Sequence, residues 1–539
     1  MNASTDPITA ARPVTRTLAT RRLVVIAAAV SLAAGAAAGA GGMAMVNASG
    51  ASNGASAASA QNAGMTMGGA PGGMGGANTM TYDYTGSYSG ALTADGTTRT
   101  SQGETIAASS ADQNAALVQN GGTLAITDGM LTKSGDGSSD DDSNFYGTNS
   151  IALAVGEGST LVLDGGTLTA SGSGSNGVFA TDSGTALVRG ATISTTADNS
   201  RGLDATYSGT ILAGDVTADT AGDHSATVAT DRGGGTVSVV SSELSTAGSG
   251  SPLLYSTGDV QVHDVTGTAT GSQIAGMEGT NTILISDSTL TSTNTGRTGS
   301  DPIANGVIIY QSTSGDAESS TGEHATFQAV DSTLSSAIES GSMFYFTNTT
   351  ADVVLQNTTL DFDTTKATLI NASGNDSNNW GSAGSNGATV TFTGRNQTLA
   401  GDVTADTISS VDLYLLDDST WTGSASITEN ASASDGSMSD APITVNVDDT
   451  STWVVTGDTT ISALNVAVGG KVTDASGRTA TIVADGRTVV EGTGSVTVTV
   501  TGSYSTTVEA GEDTELADET IDRSAYDERF STSTSWTMA

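Results

Sequence analysis

The sequence predicts an all-β protein, a right-handed parallel β-helix solenoid with a C-terminal β-rich cap. The first observation is a recurring phrase of alternating apolar residues, a small polar corner and then Thr-Leu, seen in residues 161–168, 283–290, 327–334 and 353–360. The second is its period in the low twenties, which together with β alternation indicates stacked coils. The third is composition, because 69 Gly and only 6 Pro suit tight corners between short strands.

The last apolar residue of each phrase marks one predicted coil. The markers are Leu131, Leu168, Ile193, Val216, Leu244, Gly267, Leu290, Leu334 and Leu360. Their intervals range from 23 to 44 residues, and we interpret the interval of 44 as two coils, one of them with a looser phrase. Strands of successive coils would stack about 4.8 Å apart around buried ladders. The members of two predicted ladders are Val178, Leu203, Val228, Leu253, Ile274, Val307 and Phe344, and Leu163, Val188, Ile285 and Leu355.

The chain divides into five predicted segments. Residues 1–40 form a signal peptide or an N-terminal membrane anchor. Residues 41–80, rich in Gly, Ala, Ser and Met, form a disordered linker because they carry almost no large apolar groups. The β-helix follows over 81–410, and further β-rungs with the cap that covers the last rung follow over 411–508. Residues 509–539 are acidic and without periodicity, which predicts a flexible tail.

The N-terminal segment has the features of a bacterial export signal. Four arginines, Arg12, Arg16, Arg21 and Arg22, precede an apolar stretch that begins at Leu23, and an Ala/Gly region follows it. The arginine pair weakly resembles a twin-arginine signal. An uncleaved anchor is the alternative, because the apolar stretch nearly reaches spanning length. We therefore expect a secreted or cell-surface protein that meets a membrane only through this segment, if it stays uncleaved.

Charge and cysteine content exclude several classes of function. The chain has 17 Lys and Arg against 57 Asp and Glu, a net charge of −40, so nucleic acid and anionic lipid are poor partners. An acidic surface that keeps a β-rich extracellular protein soluble is the simpler explanation of this charge. Cysteine is absent, which excludes disulfides, thiol catalysis and cysteine-based metal sites.

One longitudinal strip of the predicted solenoid gathers aromatic, amide and charged side chains. Its candidate ligand-binding residues are Arg201, Asp204, Tyr207, His224, Asp231, Arg232, Tyr255, Glu278, Tyr310, Gln311, Tyr345 and Trp380. Such a strip can hold a sugar chain, since rings cover apolar sugar faces while polar groups bond hydroxyls. A structural explanation stays open, in which corner Asn and Asp cap turns and aromatic rings stack between rungs. A register slip of one residue would exchange the two faces.

An enzyme site and a calcium site are weaker candidates. Asp204 and Asp231 beside Arg201, Arg232 and His224 could serve catalysis, with carboxylates in acid and nucleophile-activating roles. The clustered Asp triplets of β-helix hydrolases are missing, and Asp-Arg pairs are commoner as surface ion pairs. The acidic run Asp140–Asp142 could ligate calcium, but flanking Gly and Ser favour a solvated loop. We expect no other metal and no cofactor.

By these phrases the chain resembles bacterial secreted adhesin-like β-helix proteins, which have a pectate-lyase-like fold and are similar to autotransporter passengers. Segments 142–149, 200–207 and 229–235 also resemble that group, and the resemblance covers roughly 105–505. It implies a cell-surface or secreted role and contact with glycans on a host or neighbouring cell. The C-terminal translocator of autotransporters is missing from the pattern, which argues against that export route.

Three functions are compatible with these patterns. The first is an adhesin-like protein that binds carbohydrate along one face without catalysis. The second is a polysaccharide lyase or glycoside hydrolase of the pectate-lyase-like fold, since one fold carries many activities. The third is a structural surface-layer spacer, which predicts a featureless strip and no ligand.

Overall fold

The computed structural model describes residues 81–538, except 315–316, 318–323, 378–379 and 435. The predicted signal or anchor (1–40) and the predicted linker (41–80) lie outside the described residues. In the part of the chain that is described, no helix has the length and apolar character needed to cross a bilayer. The secondary structure of the described residues is almost entirely β, and their strands form four sheets.

Two long sheets run along the solenoid, and their solenoid strands pair in parallel between successive coils. In the described residues, sheet A has 13 strands: Ser89–Asp95, Gln113–Gln119, Ala152–Val155, Val178–Thr181, Leu203–Ala205, Val228–Thr230, Leu254–Ser256, Ala275–Glu278, Asn305–Tyr310, Ser342–Thr347, Thr368–Ala372, Val403–Asp406 and Ala425–Thr428. Sheet B has 23: Thr98–Gln102, Thr105–Ala108, Thr123–Thr127, Met130–Lys133, Thr160–Asp164, Thr167–Ala170, Thr185–Arg189, Thr192–Thr195, Thr210–Gly214, Thr217–Thr220, Thr236–Thr246, Asp259–Ala269, Thr282–Ser286, Thr289–Ser292, Ala325–Val330, Thr333–Ser336, Thr350–Gln356, Thr359–Asp361, Thr389–Arg395, Ser410–Leu416, Ile443–Val447, Ala463–Val466 and Tyr504–Ser505.

Two small sheets and three short helices complete the described fold. Sheet C contains Thr398–Ala400, Thr420–Gly423, Thr452–Val455 and Lys471–Asp474. Sheet D contains Thr459–Ile461, Thr481–Ala484, Arg487–Val490 and Thr497–Val500, with an antiparallel hairpin between its second and third strands. The helices are Asp140–Tyr146, the 3-10 turn Glu512–Thr514 and Ser524–Phe530. The predicted all-β parallel β-helix with a β-rich C-terminal part is confirmed.

The interior ladders have nearly the predicted register. The column that starts at Val178 continues through Leu254 and Ala275, each one residue after the predicted Leu253 and Ile274. Leu253 and Leu254 are both fully buried, so hydrophobicity alone did not distinguish them. The second predicted ladder pairs in the predicted register throughout. The period-2 pattern therefore located the core correctly and missed one corner residue.

The interval of 44 residues is one coil and not two. Leu290 pairs directly with Leu334 in adjacent strands of sheet B. The additional residues precede and follow strand Asn305–Tyr310 in the chain, between strands Thr289–Ser292 and Ala325–Val330. A smaller correction concerns the marker Val216, because Ala218 occupies that column. The long interval thus marks an insertion on the surface of sheet A.

The prediction of a flexible tail over 509–539 is wrong for residues 509–538, which we call the C-terminal strap. Helix Ser524–Phe530 places Tyr526 and Phe530 on an apolar patch of sheet B, and Trp536 and Met538 fill a second patch. The sheet B residues in these patches are Val162, Leu187 and Leu212, and Val240, Leu284 and Val330. The acidic composition concealed four large apolar side chains, which order the strap by burial.

Candidate functional site

The candidate site lies on the outer face of sheet A. Its central column contains Phe179, Asp204, Ala229, Tyr255, Gly276, Ile308 and Tyr345, which occupy equivalent positions on successive strands. Tyr255 takes the outward position because of the one-residue shift that turns Leu254 inward. Three aromatic residues and one carboxyl group therefore share a single line on the solenoid, with Ala229, Gly276 and Ile308 between them.

Helix Asp140–Tyr146 covers the N-terminal end of this face. The hydroxyl of Ser139 caps the helix by accepting the backbone N–H of Asp142, and Gly147 ends it in the left-handed region at φ 70°. The expected solvated loop over Asp140–Asp142 is therefore wrong, since these carboxylates occupy the first turn, where the helix dipole favours negative charge. No group of three or more His, Cys, Asp or Glu suited to a metal occurs among the described residues.

Aromatic contacts attach this helix to the sheet. Tyr207 stacks on Tyr146 with ring centroids 5.5 Å apart and an interplanar angle of 4°. The guanidinium of Arg232 lies 3.5 Å from the ring centroid of Phe145, a cation–π contact. Tyr207 and Arg232 are both buried. These two predicted site residues hold helix Asp140–Tyr146 against the sheet, and we call this helix the cover.

Arg201, Asp204 and Asp231 form a buried ion-pair cluster beneath the same helix. Nη2 of Arg201 lies 2.8 Å from Oδ2 of Asp231, and Nη1 lies 3.4 Å from Oδ2 of Asp204. Nη1 also donates to Oδ1 of Asn144 on the helix at 3.1 Å. Burial raises the pKa of Asp204 to about 7, against the opposing effect of Arg201. Because Asp204 is fully buried, it does not reach a ligand in this conformation.

A cleft of about 180 Å³ opens beside the cluster. Five predicted site residues line it, namely Arg201, His224, Tyr255, Tyr310 and Trp380. His224 is exposed at an entry corner with φ 54°, and Arg201 contributes the edge of the buried cluster. Of the twelve predicted ligand-binding residues, these five lie together around the cleft. The other seven lie under the cover or behind the cleft.

Aromatic side chains form much of the cleft wall. The rings of Tyr310 and Trp380 lie 4.2 Å apart between centroids at an interplanar angle of 49°. Trp380 belongs to a loop between two strands, and it packs on Ile308 and Tyr345 of sheet A. The side chain of Asn386 fixes this loop by donating to the backbone carbonyl of Trp380 at 2.9 Å. Trp380 is thus both an anchor for its loop and a wall of the cleft.

Two buried carboxyl groups accompany these rings. Glu278 accepts the hydroxyl of Tyr255 at 3.2 Å and also the hydroxyl and backbone N–H of Ser312. Asp301, which lines the cleft, accepts Nδ2 of Asn305 at 2.8 Å. Burial raises the pKa of Asp301 to about 7, while the Asn305 hydrogen bond and the charge of Arg297 act in the opposite direction.

The remaining predicted residues support the site from behind. The side chain of Gln311 donates its Nε2 to the backbone carbonyl of Ser312 at 3.2 Å, and the backbone carbonyl of Gln311 accepts Nδ2 of Asn348 at 2.7 Å. Tyr345 is buried under Trp380. Neither residue lines the cleft.

The sequence interpretation missed three polar residues of the cleft, Gln273, Ser300 and Asp301. Ser300 and Asp301 belong to the insertion between Leu290 and Leu334. The length of this interval, 44 residues, was the sequence signal that could have indicated an insertion. Gln273 precedes strand Ala275–Glu278, where the predicted ladder residue Ile274 is one residue away from the observed Ala275.

Fold and site together define a parallel β-helix protein with a small aromatic cleft on one sheet. No protein-family model matches the chain, and no curated protein matches it. Among solved structures, the chain is similar to the crystal structure of PfbA, a surface adhesin of Streptococcus pneumoniae. The identity is 9%, the alignment covers 72% of this chain and 84% of that chain, and the TM-score is 0.25. A likeness at this level carries no functional information.

Proposed function

We propose that the protein is a secreted or cell-surface, adhesin-like β-helix that binds carbohydrate in the cleft on sheet A without catalysis. The observation that supports this proposal is the meeting of Tyr255, Tyr310 and Trp380 with Gln273 and Asp301 around one cleft. Aromatic faces suit the apolar side of a sugar ring, and the amide and carboxyl groups suit its hydroxyls.

The size of the cleft favours a single sugar unit over a buried oligosaccharide. Its volume of about 180 Å³ is below the roughly 300–1,000 Å³ typical of pockets that enclose drug-sized ligands. A longer chain would place one unit in the cleft and leave its neighbours on the surface. Low affinity per site is then expected, and several copies on one cell would increase it through multivalency.

Binding without catalysis is supported by the state of the candidate catalytic residues. Asp204, Asp231 and Arg201 bond one another beneath the helix cover, and Arg232 packs on Phe145. These side chains are engaged in contacts beneath helix Asp140–Tyr146 and hold that helix against the sheet. A polysaccharide lyase or hydrolase would need carboxylates that reach the scissile bond, and a surface-layer spacer would need no cleft.

A glycan array followed by titration tests the proposal. We expect the wild type to retain one class of glycan. Trp380→Ala should weaken its binding at least tenfold, which corresponds to about 1.4 kcal/mol. Tyr414→Ala is the matched control, because Tyr414 is a half-buried aromatic residue of sheet B. Trp380→Phe keeps a ring in the loop and separates loss of stacking from loss of loop packing.

Two results would overturn the proposal. One is an array on which the wild type retains no glycan. The other is a bound glycan whose affinity is the same in the wild type, Trp380→Ala and Tyr255→Phe. If incubation of the bound glycan with the protein gave shortened or unsaturated products, the protein would be a hydrolase or a lyase and not a binding protein without catalysis.

A further inference from the structure

The cleft combines aromatic faces with a carboxyl group. Tyr310 and Trp380 are in ring contact. Tyr255 lies two strands away from Tyr310 in sheet A, and Asp301 lines the same cleft. A cation over aromatic rings is attracted by their quadrupoles, with Trp the strongest partner, and a nearby carboxylate adds to the attraction. This combination is the one proteins use to recognise ammonium groups.

Asp301 and Glu278 also favour a cation, against the opposing charge of Arg297 near Asp301. Arg201 already bonds Asp231 at 2.8 Å, so the carboxylate of Asp231 balances its charge. Glu278 lies behind Tyr255 and increases the negative charge at the floor. A ligand carboxylate would meet Asp301 and Glu278 in a partly desolvated space, where like charges repel more strongly than in water.

From this juxtaposition, and resting on the proposed function, we propose that the sugar unit recognised in the cleft carries a free, protonated amino group. The ammonium group lies against Trp380 and Tyr310 and pairs with Asp301. Gln273 and Ser300 are in reach of the ring hydroxyls. Amino sugars with an unmodified amine are therefore preferred over neutral sugars, and neutral sugars over uronic acids.

A pH dependence accompanies this recognition. Burial raises the pKa of Asp301 to about 7, and Asn305 and Arg297 oppose the shift. Tyr310, whose own pKa burial raises well above its usual value, interacts with the same carboxyl group from strand Asn305–Tyr310. A bound ammonium favours the ionised carboxylate, so binding releases a proton from Asp301. The affinity for the amine should increase between pH 6 and pH 7.5, while the affinity for a neutral sugar should stay constant.

Four methyl glycosides distinguish the possible ligands when titrated against the full chain. They are the glucosaminide, its N-acetyl form, the glucoside and the glucuronide. The expected order of affinity places the glucosaminide at least tenfold above the glucoside and the N-acetyl form, with the glucuronide weakest. Equal affinities for the glucosaminide and the N-acetyl form, or a preference for the glucuronide, would overturn the amine assignment and leave the proposed function standing. Failure of all four to bind would also overturn the amine assignment, and it would overturn the proposed function only together with an array on which the wild type retains no glycan.

Asp301→Asn tests the role of the carboxyl group. This change should lower the ratio of amine to neutral affinity severalfold, to what the aromatic rings alone provide, and should remove its pH dependence. Asp259→Asn is the matched control, because Asp259 is also largely buried, accepts a side-chain amide from Gln261 and lies on sheet B. Its ratio should equal that of the wild type. A ratio that Asp301→Asn leaves unchanged, in a variant with wild-type thermal unfolding, would contradict the proposal.

Discussion

Arg523 and Ala213 are separated by 310 residues, and the guanidinium of Arg523 donates a hydrogen bond of 3.0 Å to the carbonyl of Ala213. The same group donates to the carbonyl of Ser238 at 3.0 Å and to its hydroxyl at 2.9 Å. Within the strap it donates to the hydroxyl of Thr534 at 2.8 Å. Arg523 is fully buried, and burial lowers its pKa to about 10. A buried cation thus fastens the C-terminal strap to sheet B.

Arg523→Ala is expected to release the strap. The substitution removes the charged donor of the hydrogen bonds to Ala213 and Ser238, and a hydrogen bond to a charged group contributes about 1.5–3 kcal/mol. The loss of stability should be confined to the strap, because each coil of the solenoid contacts mainly the coils next to it. Hydrogen exchange and limited proteolysis should show residues 515–538 opening first, before the solenoid.

Arg529→Ala is the control for this prediction, since Arg529 is an exposed arginine of the same helix. Its exchange and cleavage rates should equal those of the wild type. Equal protection of the strap in both variants would show that the apolar contacts of Tyr526 and Trp536 suffice without Arg523.

Close backbone approach between coils requires glycine at one corner, and Gly209→Ala tests this requirement. A Cβ atom at Gly209 would lie 2.2 Å from the carbonyl oxygen of Ala180 in the preceding coil. Since backbone cannot move as a side chain does, we expect a loss of about 1–3 kcal/mol in the free energy of unfolding. Urea denaturation measures it.

The matched substitution is Gly457→Ala, because a Cβ atom there would meet nothing within 4 Å. It should leave stability unchanged or raise it by about 0.4–1 kcal/mol through the entropy of the unfolded chain. Similar urea midpoints for both variants would refute the close-approach explanation.

The core could be predicted from the sequence because its signal is local. Residues such as Leu131 and Leu168 follow a period-2 pattern within a few residues, and the repeat aligns one coil with the next. The error at Leu253 and Leu254 arose where two neighbouring apolar residues fitted the pattern equally well. Period alone therefore determined which segments stack, but it did not determine every corner.

The insertions and the C-terminal strap that pack on the outer faces of the sheets could not be predicted from the same pattern. Asp301 and Trp380 belong to insertions, where the repeat gives no register. The strap docks through contacts that span up to several hundred residues. A partial signal existed in Leu161-Val162-Leu163, because an uninterrupted apolar strand indicates burial of both faces. The strap buries Val162 on the outer face of sheet B. An uninterrupted apolar strand in a solenoid therefore predicts that another segment packs on its outer face.

Trp453→Ala should destabilise the C-terminal coils without affecting the cleft. Trp453 is fully buried, stacks on Trp421 at 4.8 Å and donates its Nε1 to the carbonyl of Gly423 at 3.0 Å. Removal of such a side chain costs about 3–5 kcal/mol. Because coils interact with their nearest neighbours, an early urea transition for the C-terminal coils should separate from the main one.

Val454→Ala is the control on the same strand, since Val454 is only half-buried. It should keep a single transition close to that of the wild type. Loss of cleft binding together with the early transition of Trp453→Ala would contradict the independence of the two regions.

Stability should fall as the pH rises from about 4 to 7, because burial raises the pKa of Asp204 and of Asp301 to about 7 and that of Asp259 to about 6. A carboxyl group whose pKa is raised in the folded state binds its proton more tightly there than in the unfolded chain. Its contribution is complete below about pH 4, decreases as the pH rises through the folded pKa, and is gone above it. Groups such as Asp474, whose backbone and side-chain hydrogen bonds lower its pKa to about 2, act oppositely below pH 4. The urea midpoint should therefore be highest near pH 4–5.

Asp204→Asn isolates one of these contributions. The amide avoids the burial of a charge, and Arg201 keeps Asp231 and Asn144 as partners. The loss of stability between pH 5 and pH 8 should be smaller than in the wild type by at most about 2–3 kcal/mol, because only the range from pH 5 to the folded pKa of about 7 contributes, at 1.36 kcal/mol for each pH unit. Asp449→Asn, at an exposed position, should reproduce the wild-type profile. A wild-type midpoint that rises from pH 5 to pH 8 would mean that Asp204 is ionised in the fold and stabilised by Arg201 more strongly than burial opposes it.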